Sequence, residues 1–249
     1  MSAPGRTLII GATSAVASAI ASECAAKGER LYLIARDGDK LAVLARSLGD
    51  AVVGTALGDF RDTALSASLV EAAEARLGGI DSAFIAHGIL SDQIETEKSY
   101  EAAEETLRIN LLSYVSFVIP IANSFESRGG GSLVVISSVA GDRGRPRNYS
   151  YGAAKGGLTI YMQGVRSRLY RLGVRVVTVH LGPVDTPMTA SHEKNLFFAR
   201  KEDVAKAIVN ARSSGPSEAY VPWFWRPIML GVRNMPEWLF QRFGFLSGR

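Results

Sequence analysis

Ser138, Tyr151 and Lys155 are residues whose types and spacing suit acid–base chemistry on oxygen. Tyr151 follows Ser138 by thirteen residues, and Lys155 follows Tyr151 by four. On a helix, positions four apart share one face. A phenol with an ordinary pKa of about 10 is a poor proton donor and acceptor at neutral pH. A nearby positive charge favours the phenolate and lowers that value. A serine hydroxyl beside it can hold a substrate oxygen and stabilise charge developing there. Such a trio suits an oxygen that interconverts between carbonyl and alcohol.

A second group of residues can hold a nucleotide. Leu8-Ile9-Ile10 reads as a buried strand, and Gly11-Ala12-Thr13-Ser14-Ala15-Val16-Ala17 lies where it turns into a helix. Backbone N–H groups in such a turn bind pyrophosphate without a positive side chain. Only Gly11 remains of the glycines that usually allow close phosphate approach, so an ordinary strand–turn–helix stays an alternative. The second strand ends at Ala35-Arg36, the position that meets an adenosine ribose. An arginine there pairs with a 2′-phosphate and favours NADP(H) over NAD(H). Asp37 and Asp39 pull the other way, and Arg36 as a solvated loop residue is the alternative.

The elements that must position these groups alternate along the chain. Leu8–Ile10, Leu31–Ile34, Ala51–Val53, Ser82–Ala86, Leu133–Ile136, Val174–Val179 and Ala219–Val221 read as strands. Ala15–Lys27, Asp39–Leu48, Thr63–Leu77, Tyr100–Arg128, Ser150–Leu172 and Glu202–Arg212 read as helices. Apolar strands separated by helices predict an α/β fold, a single-domain Rossmann-type doubly wound parallel sheet. The chain has 249 residues, 47% hydrophobic, which suits one large domain and excludes global disorder. We read residues 1–222 as that domain and 223–249 as an aromatic and basic tail.

Ordered motifs over roughly the first 220 residues resemble those of the short-chain dehydrogenase/reductase family. Ile136-Ser137-Ser138-Val139-Ala140-Gly141 and Tyr151-Gly152-Ala153-Ala154-Lys155 carry the resemblance. Arg108-Ile109-Asn110-Leu111 resembles the segment bearing the family's catalytic asparagine, which holds a water in a proton relay. Asp59-Phe60 resembles the segment whose acid contacts the adenine amino group. Gly182-Pro183-Val184-Asp185-Thr186 resembles the segment touching the nicotinamide carboxamide.

The resemblance implies a catalytic set of Asn110, Ser138, Tyr151 and Lys155. It implies a cofactor site of Gly11, Thr13, Ser14, Ala15, Val16, Arg36, Asp59, Phe60, Ala86, Gly88, Tyr151, Lys155, Gly182, Pro183, Val184 and Thr186. A homodimer or homotetramer is implied as well. The chain departs from the family pattern at Ala15 and Ala17, at Ile85-Ala86-His87-Gly88 and at Leu181. His87 reads as filling the space of a missing asparagine, with a second acid–base as the alternative. His180 reads as structural, and His192 lies in a region that usually covers substrate. No metal cluster is expected.

All three tryptophans, Trp223, Trp225 and Trp238, lie in the tail, where Arg226, Arg233 and Arg242 interrupt apolar residues. Such a segment suits a membrane interface, a dimer contact or a flap over the active site. Pro222-Trp223-Phe224-Trp225-Arg226, Met235-Pro236-Glu237-Trp238-Leu239-Phe240 and Gly141-Asp142-Arg143-Gly144-Arg145 resemble the branch of reductases related to decaprenylphosphoryl-2-keto-ribose reductase. That branch implies a membrane-associated reductase of a keto-sugar on a polyprenyl phosphate. Arg143, Arg145 and Arg147 either meet a phosphate or lie on a solvated loop.

The net charge of +4 is spread along the chain, which argues against nucleic acid. Cys24, the single cysteine, excludes an internal disulfide and fits a reducing cytoplasm, with the inner face of the membrane also open. The first apolar run is too short for a signal-peptide core or a membrane span. The expected activity is hydride transfer between NADP(H) and a ketone or secondary alcohol, with NAD(H) still possible. A soluble reductase of 3-oxoacyl or small ketones is the alternative enzyme. A catalytically silent nucleotide-binding regulator is the alternative of another class.

Overall fold

The computed structural model describes residues 4–186 and 198–242. His192 and the last seven residues of the tail lie outside them. The strands are β1 (Arg6–Ile10), β2 (Arg30–Ala35), β3 (Val52–Leu57), β4 (Ser82–Ile85), β5 (Gly131–Ser138), β6 (Val174–Leu181) and β7 (Glu218–Val221). They form one parallel sheet in the order β3-β2-β1-β4-β5-β6-β7. The helices are α1 (Ala15–Ala26), α2 (Gly38–Leu48), α3 (Ser66–Leu77), α4 (Gln93–Thr96), α5 (Tyr100–Leu107), α6 (Ser113–Arg128), α7 (Tyr149–Leu169), α8 (Lys201–Ala211), α9 (Trp225–Asn234) and α10 (Glu237–Phe240). The expected doubly wound sheet is the observed fold.

Alternate strand residues enter two cores, because successive side chains point to opposite faces. Leu8, Ile10, Ile85 and Val135 pack with Tyr114, Phe117, Phe125 and Leu158 on one face. Ile9, Leu33, Phe84 and Val134 pack with Ile20, Val204 and Ile208 on the other. Each fully buried side chain of this size contributes about 1.5–3 kcal/mol. Cys24 lies in the second core, and burial pushes its thiol up to about 12, so it is unreactive at neutral pH.

Several boundaries differ from the sequence expectation. β3 continues to Leu57, four residues past the apolar run. Its Gly54 sits against the Tyr32 ring, where a Cβ would stand 2.6 Å from a ring carbon. The residue that hides the strand from a hydropathy reading is therefore the one its neighbour requires. α3 begins at Ser66, after a 3₁₀ turn capped by Asp62. The helix expected over Tyr100–Arg128 is interrupted by a π-helical turn at Arg108–Leu112. The short α4, capped by Asp92, has too little apolar periodicity to be legible.

The order of strands reverses direction between β1 and β4. Ligands of open parallel sheets bind outside the carboxyl ends of the strands at such a switch point. Gly11, Ala86, Ser138 and Gly182 all lie at those ends.

Candidate active site

Three elements meet around Tyr151. Ser138 is the last residue of β5, and its hydroxyl accepts from the N–H of Ala140 at 3.1 Å. It also donates to the Leu181 carbonyl at 3.3 Å, which ties β5 to β6. The chain then crosses a 3₁₀ turn, Val139–Gly141, that lies on α7. A Cβ on Gly141 would stand 2.6 Å from the Gly156 nitrogen and 2.7 Å from the Lys155 carbonyl carbon. Glycine is required there because two backbones touch. Ser137 adds a hydrogen bond to the Lys155 carbonyl at 2.9 Å.

Tyr151 and Lys155 share a face of α7, as their spacing predicts. The Ser138 hydroxyl pulls the Tyr151 phenol pKa down, while burial outweighs it and pushes the pKa up to about 12. Lys155 is 2% exposed; its Nζ donates to the Ile136 carbonyl at 3.0 Å. The same Nζ lies 4.3 Å from the centre of the Tyr114 ring and 5.9 Å from that of Tyr151. Burial without a carboxylate pushes the Lys155 pKa down to about 7. The protein alone thus holds a reluctant acid beside a reluctant cation, and a bound group that supplies charge and hydrogen bonds can tune both.

Asn110 lies in the π-helical turn and is fully buried. Its side chain clamps the loop after β4, accepting from the Ile89 N–H at 3.1 Å and donating to the Ile89 carbonyl at 3.0 Å. A further bond to the Thr106 carbonyl, at 2.9 Å, fixes the amide. The side chain is therefore a positioning group. A Cβ on Gly88 would stand 2.7 Å from Asn110 Oδ1 and 3.9 Å from Lys155 Nζ, so Gly88 brings β4, the π turn and α7 together.

The remaining predicted residues ring the same edge. Gly11 has φ +80°, and a Cβ on it would stand 2.7 Å from the His87 nitrogen. Thr13 follows in the turn, and Ser14 caps α1, accepting from the Ala17 N–H at 3.2 Å and donating to the Ala86 carbonyl at 3.0 Å. Helix geometry leaves the first-turn N–H groups of Ala15 and Val16 directed outward for a ligand. The alanines at 15 and 17 do not block the cap. Asp59 and Phe60 follow β3, and Gly58 bonds back to Ala35 at 3.0 Å, so this segment adjoins Arg36. Gly182 bonds to Val221 at 2.9 Å; Pro183 and Val184 pair with Ala199; Thr186 ends the described part of that segment.

A dinucleotide fits this edge. A positive-φ glycine, a capped helix start, an exposed Arg36 and a glycine against Lys155 follow one another along the sheet. Asp37 caps α2 through Lys40 and pairs with the Lys40 ammonium at 3.0 Å, so its carboxylate is engaged there.

His87 is buried, with Nε2 2.6 Å from Ser113 Oγ and its ring stacked 4.0 Å from Phe60. Burial and the Lys155 charge hold its pKa well below the usual value. A packed neutral ring fits the space-filling reading. His180 is buried too, with Nδ1 2.8 Å from Asp142, which also accepts from the Tyr220 hydroxyl at 2.8 Å.

Arg143 is not a solvated loop residue. It donates to the Val232 and Met235 carbonyls at 2.6 and 2.5 Å, pairs with Glu237 at 2.6 Å and covers the Phe240 ring. It therefore holds the tail and cannot also meet a phosphate in this arrangement. Sequence reading missed Ser137 and Tyr114 as supports of Lys155. Tyr114 stands four residues after Asn110, a spacing that could have signalled a shared helix face.

Comparisons with known proteins agree with this geometry. The family model described as short chain dehydrogenase matches residues 6–196. An uncharacterized oxidoreductase of Mycobacterium tuberculosis strain H37Rv is 34% identical over 238 residues, covering 94% of this chain and 95% of that protein. One of Streptomyces coelicolor is 34% identical over 247 residues, covering 96% of each. A crystal structure of a short chain dehydrogenase from Burkholderia cenocepacia in complex with NADP has a TM-score of 0.82 at 20% identity, covering 97% of this chain and 98% of that one. Levodione reductase has a TM-score of 0.78 at 23% identity, covering 86% and 95%. These two structures match in fold. The chain belongs to the short chain dehydrogenase family and is an NAD(P)-dependent oxidoreductase.

Proposed function

We propose that the chain reduces a ketone with NADPH, with Tyr151 as proton donor. The observation that carries this is Tyr151 on a helix face shared with buried Lys155, whose Nζ lies 5.9 Å from the centre of the Tyr151 ring, with the Ser138 hydroxyl acting on the same phenol. The nicotinamide supplies hydride when bound. Ser138 holds the carbonyl oxygen, Tyr151 protonates it as it becomes an alcohol, and the Lys155 ammonium favours the Tyr151 phenolate that remains. Asn110 holds the Gly88 loop at the edge of this site.

The preference for NADP(H) rests on Arg36 being exposed at the end of β2 while Asp37 is committed to α2. Arg36→Asp is expected to invert the NADPH/NADH ratio of kcat/KM by at least about tenfold. An unchanged ratio removes the preference while leaving the reductase reading in place.

The substrate class we propose is a lipid-linked keto-sugar met at a membrane surface. The tail supports it. α9 turns Trp225, Met229 and Val232 inward and presents Arg226, Leu230 and Arg233 outward. Trp223, Leu230 and Trp238 are 77%, 64% and 61% exposed, and Arg242 covers Trp238 at 5.5 Å. Apolar side chains mixed with cations suit an anionic interface. Among the described residues no helix is long and apolar enough to cross a membrane, so contact through the tail would be peripheral. Exposed Leu112, Ile119 and Ile160 support the subunit contact that the family resemblance implies.

A further inference from the structure

α7 carries Tyr151 in its first turn, and that turn lacks a cap of its own. The N–H groups at a helix start have no partner within the helix. Asn148, the residue before α7, makes no side-chain hydrogen bond to them. The acceptor comes from elsewhere in the chain. Gln93, the first residue of α4, accepts from the Ser150 N–H through Oε1 at 3.0 Å. It does so across a separation of 57 residues.

A closed set of hydrogen bonds holds the same side chain. Gln93 Nε2 donates to Thr96 Oγ1 at 2.9 Å and to Ser150 Oγ at 3.3 Å. Ser150 Oγ donates to Thr96 Oγ1 at 2.9 Å, and Thr96 Oγ1 donates to the Gln93 carbonyl at 3.0 Å. Every amide and hydroxyl proton of the three side chains is thereby used. Gln93 and Thr96 are 7% and 8% exposed, so water scarcely competes for these bonds. A satisfied buried polar network rigidifies one arrangement.

The location ties this network to the chemistry. Ser150 immediately precedes Tyr151. On the other side of Tyr151, the Gly152 N–H bonds the Asn148 carbonyl at 2.7 Å, and a Cβ on Gly152 would stand 2.8 Å from the Ala140 carbonyl oxygen. Tyr151 is thus held between Gln93, from the loop after β4, and the turn that follows Ser138. In that loop Ile89 is already clamped by Asn110. One loop is therefore pinned to the π turn at Ile89 and to α7 at Gln93.

We infer that Gln93 is a positioning residue for proton transfer: by capping α7 from the loop after β4, it sets the place of the Tyr151 hydroxyl relative to Ser138 and the substrate carbonyl. This rests on the reductase reading and deepens it. Gln93 acts through the helix start and not on the reacting atoms. Proton transfer is sensitive to such placement, since a displacement of about 1 Å costs up to about 10²-fold in rate.

The test uses the full chain with NADPH. Gln93→Leu removes the acceptor and both donors. Gln93→Glu keeps an acceptor for the Ser150 N–H, and a carboxylate is favoured at a helix start. Four quantities are measured on wild type and both variants: the single-turnover rate of NADPH oxidation with a ketone that wild type reduces, the affinities for ketone and NADPH, the Tm, and amide hydrogen exchange at Ser150. Gln93→Ala takes the place of Gln93→Leu where the latter does not melt cooperatively. The expected result is that Gln93→Leu reacts at least about tenfold more slowly, with both affinities within about twofold of wild type. Its Ser150 amide exchanges at least about tenfold faster. Gln93→Glu returns the rate to within about threefold of wild type.

An unchanged rate in folded Gln93→Leu overturns the proposal even if the Tm falls, because Gln93 would then be only structural. A parallel loss of NADPH affinity overturns it too, as does a Gln93→Glu as slow as Gln93→Leu. A wild type that binds NADPH but reduces no ketone refutes the reductase reading instead. Exchange then judges the cap alone: faster exchange in Gln93→Leu keeps it, and unchanged exchange overturns it.

Discussion

Lys155 shows how a single side chain can be costly to the fold and useful to the chemistry. Its pKa is lowered from 10.5 to about 7 because burial disfavours the ammonium. Below about 7, folded and unfolded chains both carry the proton, and the folded chain bears the full desolvation cost. Between there and 10.5 the unfolded chain binds more protons, so stability rises with pH across that window. Lys155→Met is expected to raise the Tm of the cofactor-free protein by several degrees at pH 7, on the order of 2–4 °C per kcal/mol relieved. The gain should shrink as pH approaches 10.5. The hydrogen bond to Ile136 and the contact with the Tyr114 ring oppose the change without reversing it. Thermal melts of both proteins from pH 7 to 10 check this; a gain that grows with pH would contradict the buried-cation account.

At the scale of elements, the site depends on backbones that touch. The turn after β5 lies directly on α7, and Gly141 makes that approach possible. Gly141→Ala must displace either the turn or the segment bearing Lys155. We expect kcat to fall by about a hundredfold and stability by about 1–3 kcal/mol. Steady-state kinetics and denaturant melts measure the two effects, and normal activity would show that the contact is slack. The juxtaposition of Tyr151 and Lys155 on one face of α7 was legible in sequence, because residues four apart on a helix share a face. The strands β1, β4 and β5 were legible as apolar runs. The π turn was not, because Arg108–Leu112 has the same apolar pattern as a continuous helix. The resemblance marked Asn110 as a water-holding catalytic residue; its side-chain clamp on Ile89 depends on the π turn and was not legible. The second half of β3 was hidden by Gly54 and Thr55 at the sheet's edge.

At the scale of the whole molecule, the tail is part of the domain's packing and also a surface. Met229, Val232 and Phe240 bury themselves against Val139, so removal of residues after Pro222 would uncover the turn beside Ser138. Substitutions on the outer face separate the two roles better than truncation does. Trp223→Ser with Trp238→Ser is expected to leave the Tm within about 2 °C, as exposed substitutions usually do, and to reduce binding to anionic vesicles at least about tenfold. Arg143→Ala, which removes the side chain that holds the tail, is expected to cost about 1–3 kcal/mol and to lower turnover as well. Vesicle co-sedimentation and melting of the two variants test this; equal vesicle binding by the tryptophan variant would leave the tail as a packing element or subunit contact.

The central claim is that Tyr151 moves the proton at a nicotinamide site. The direct measurement is NADPH oxidation over a panel of ketones, neutral and phosphorylated, by wild type and Tyr151→Phe, with NADPH affinity titrated on both. The account predicts turnover of at least one ketone by the wild type. It predicts a fall of about 10³-fold or more in Tyr151→Phe, with NADPH affinity within about twofold. Undiminished turnover in Tyr151→Phe, or a folded wild type that binds no NADPH, would contradict it.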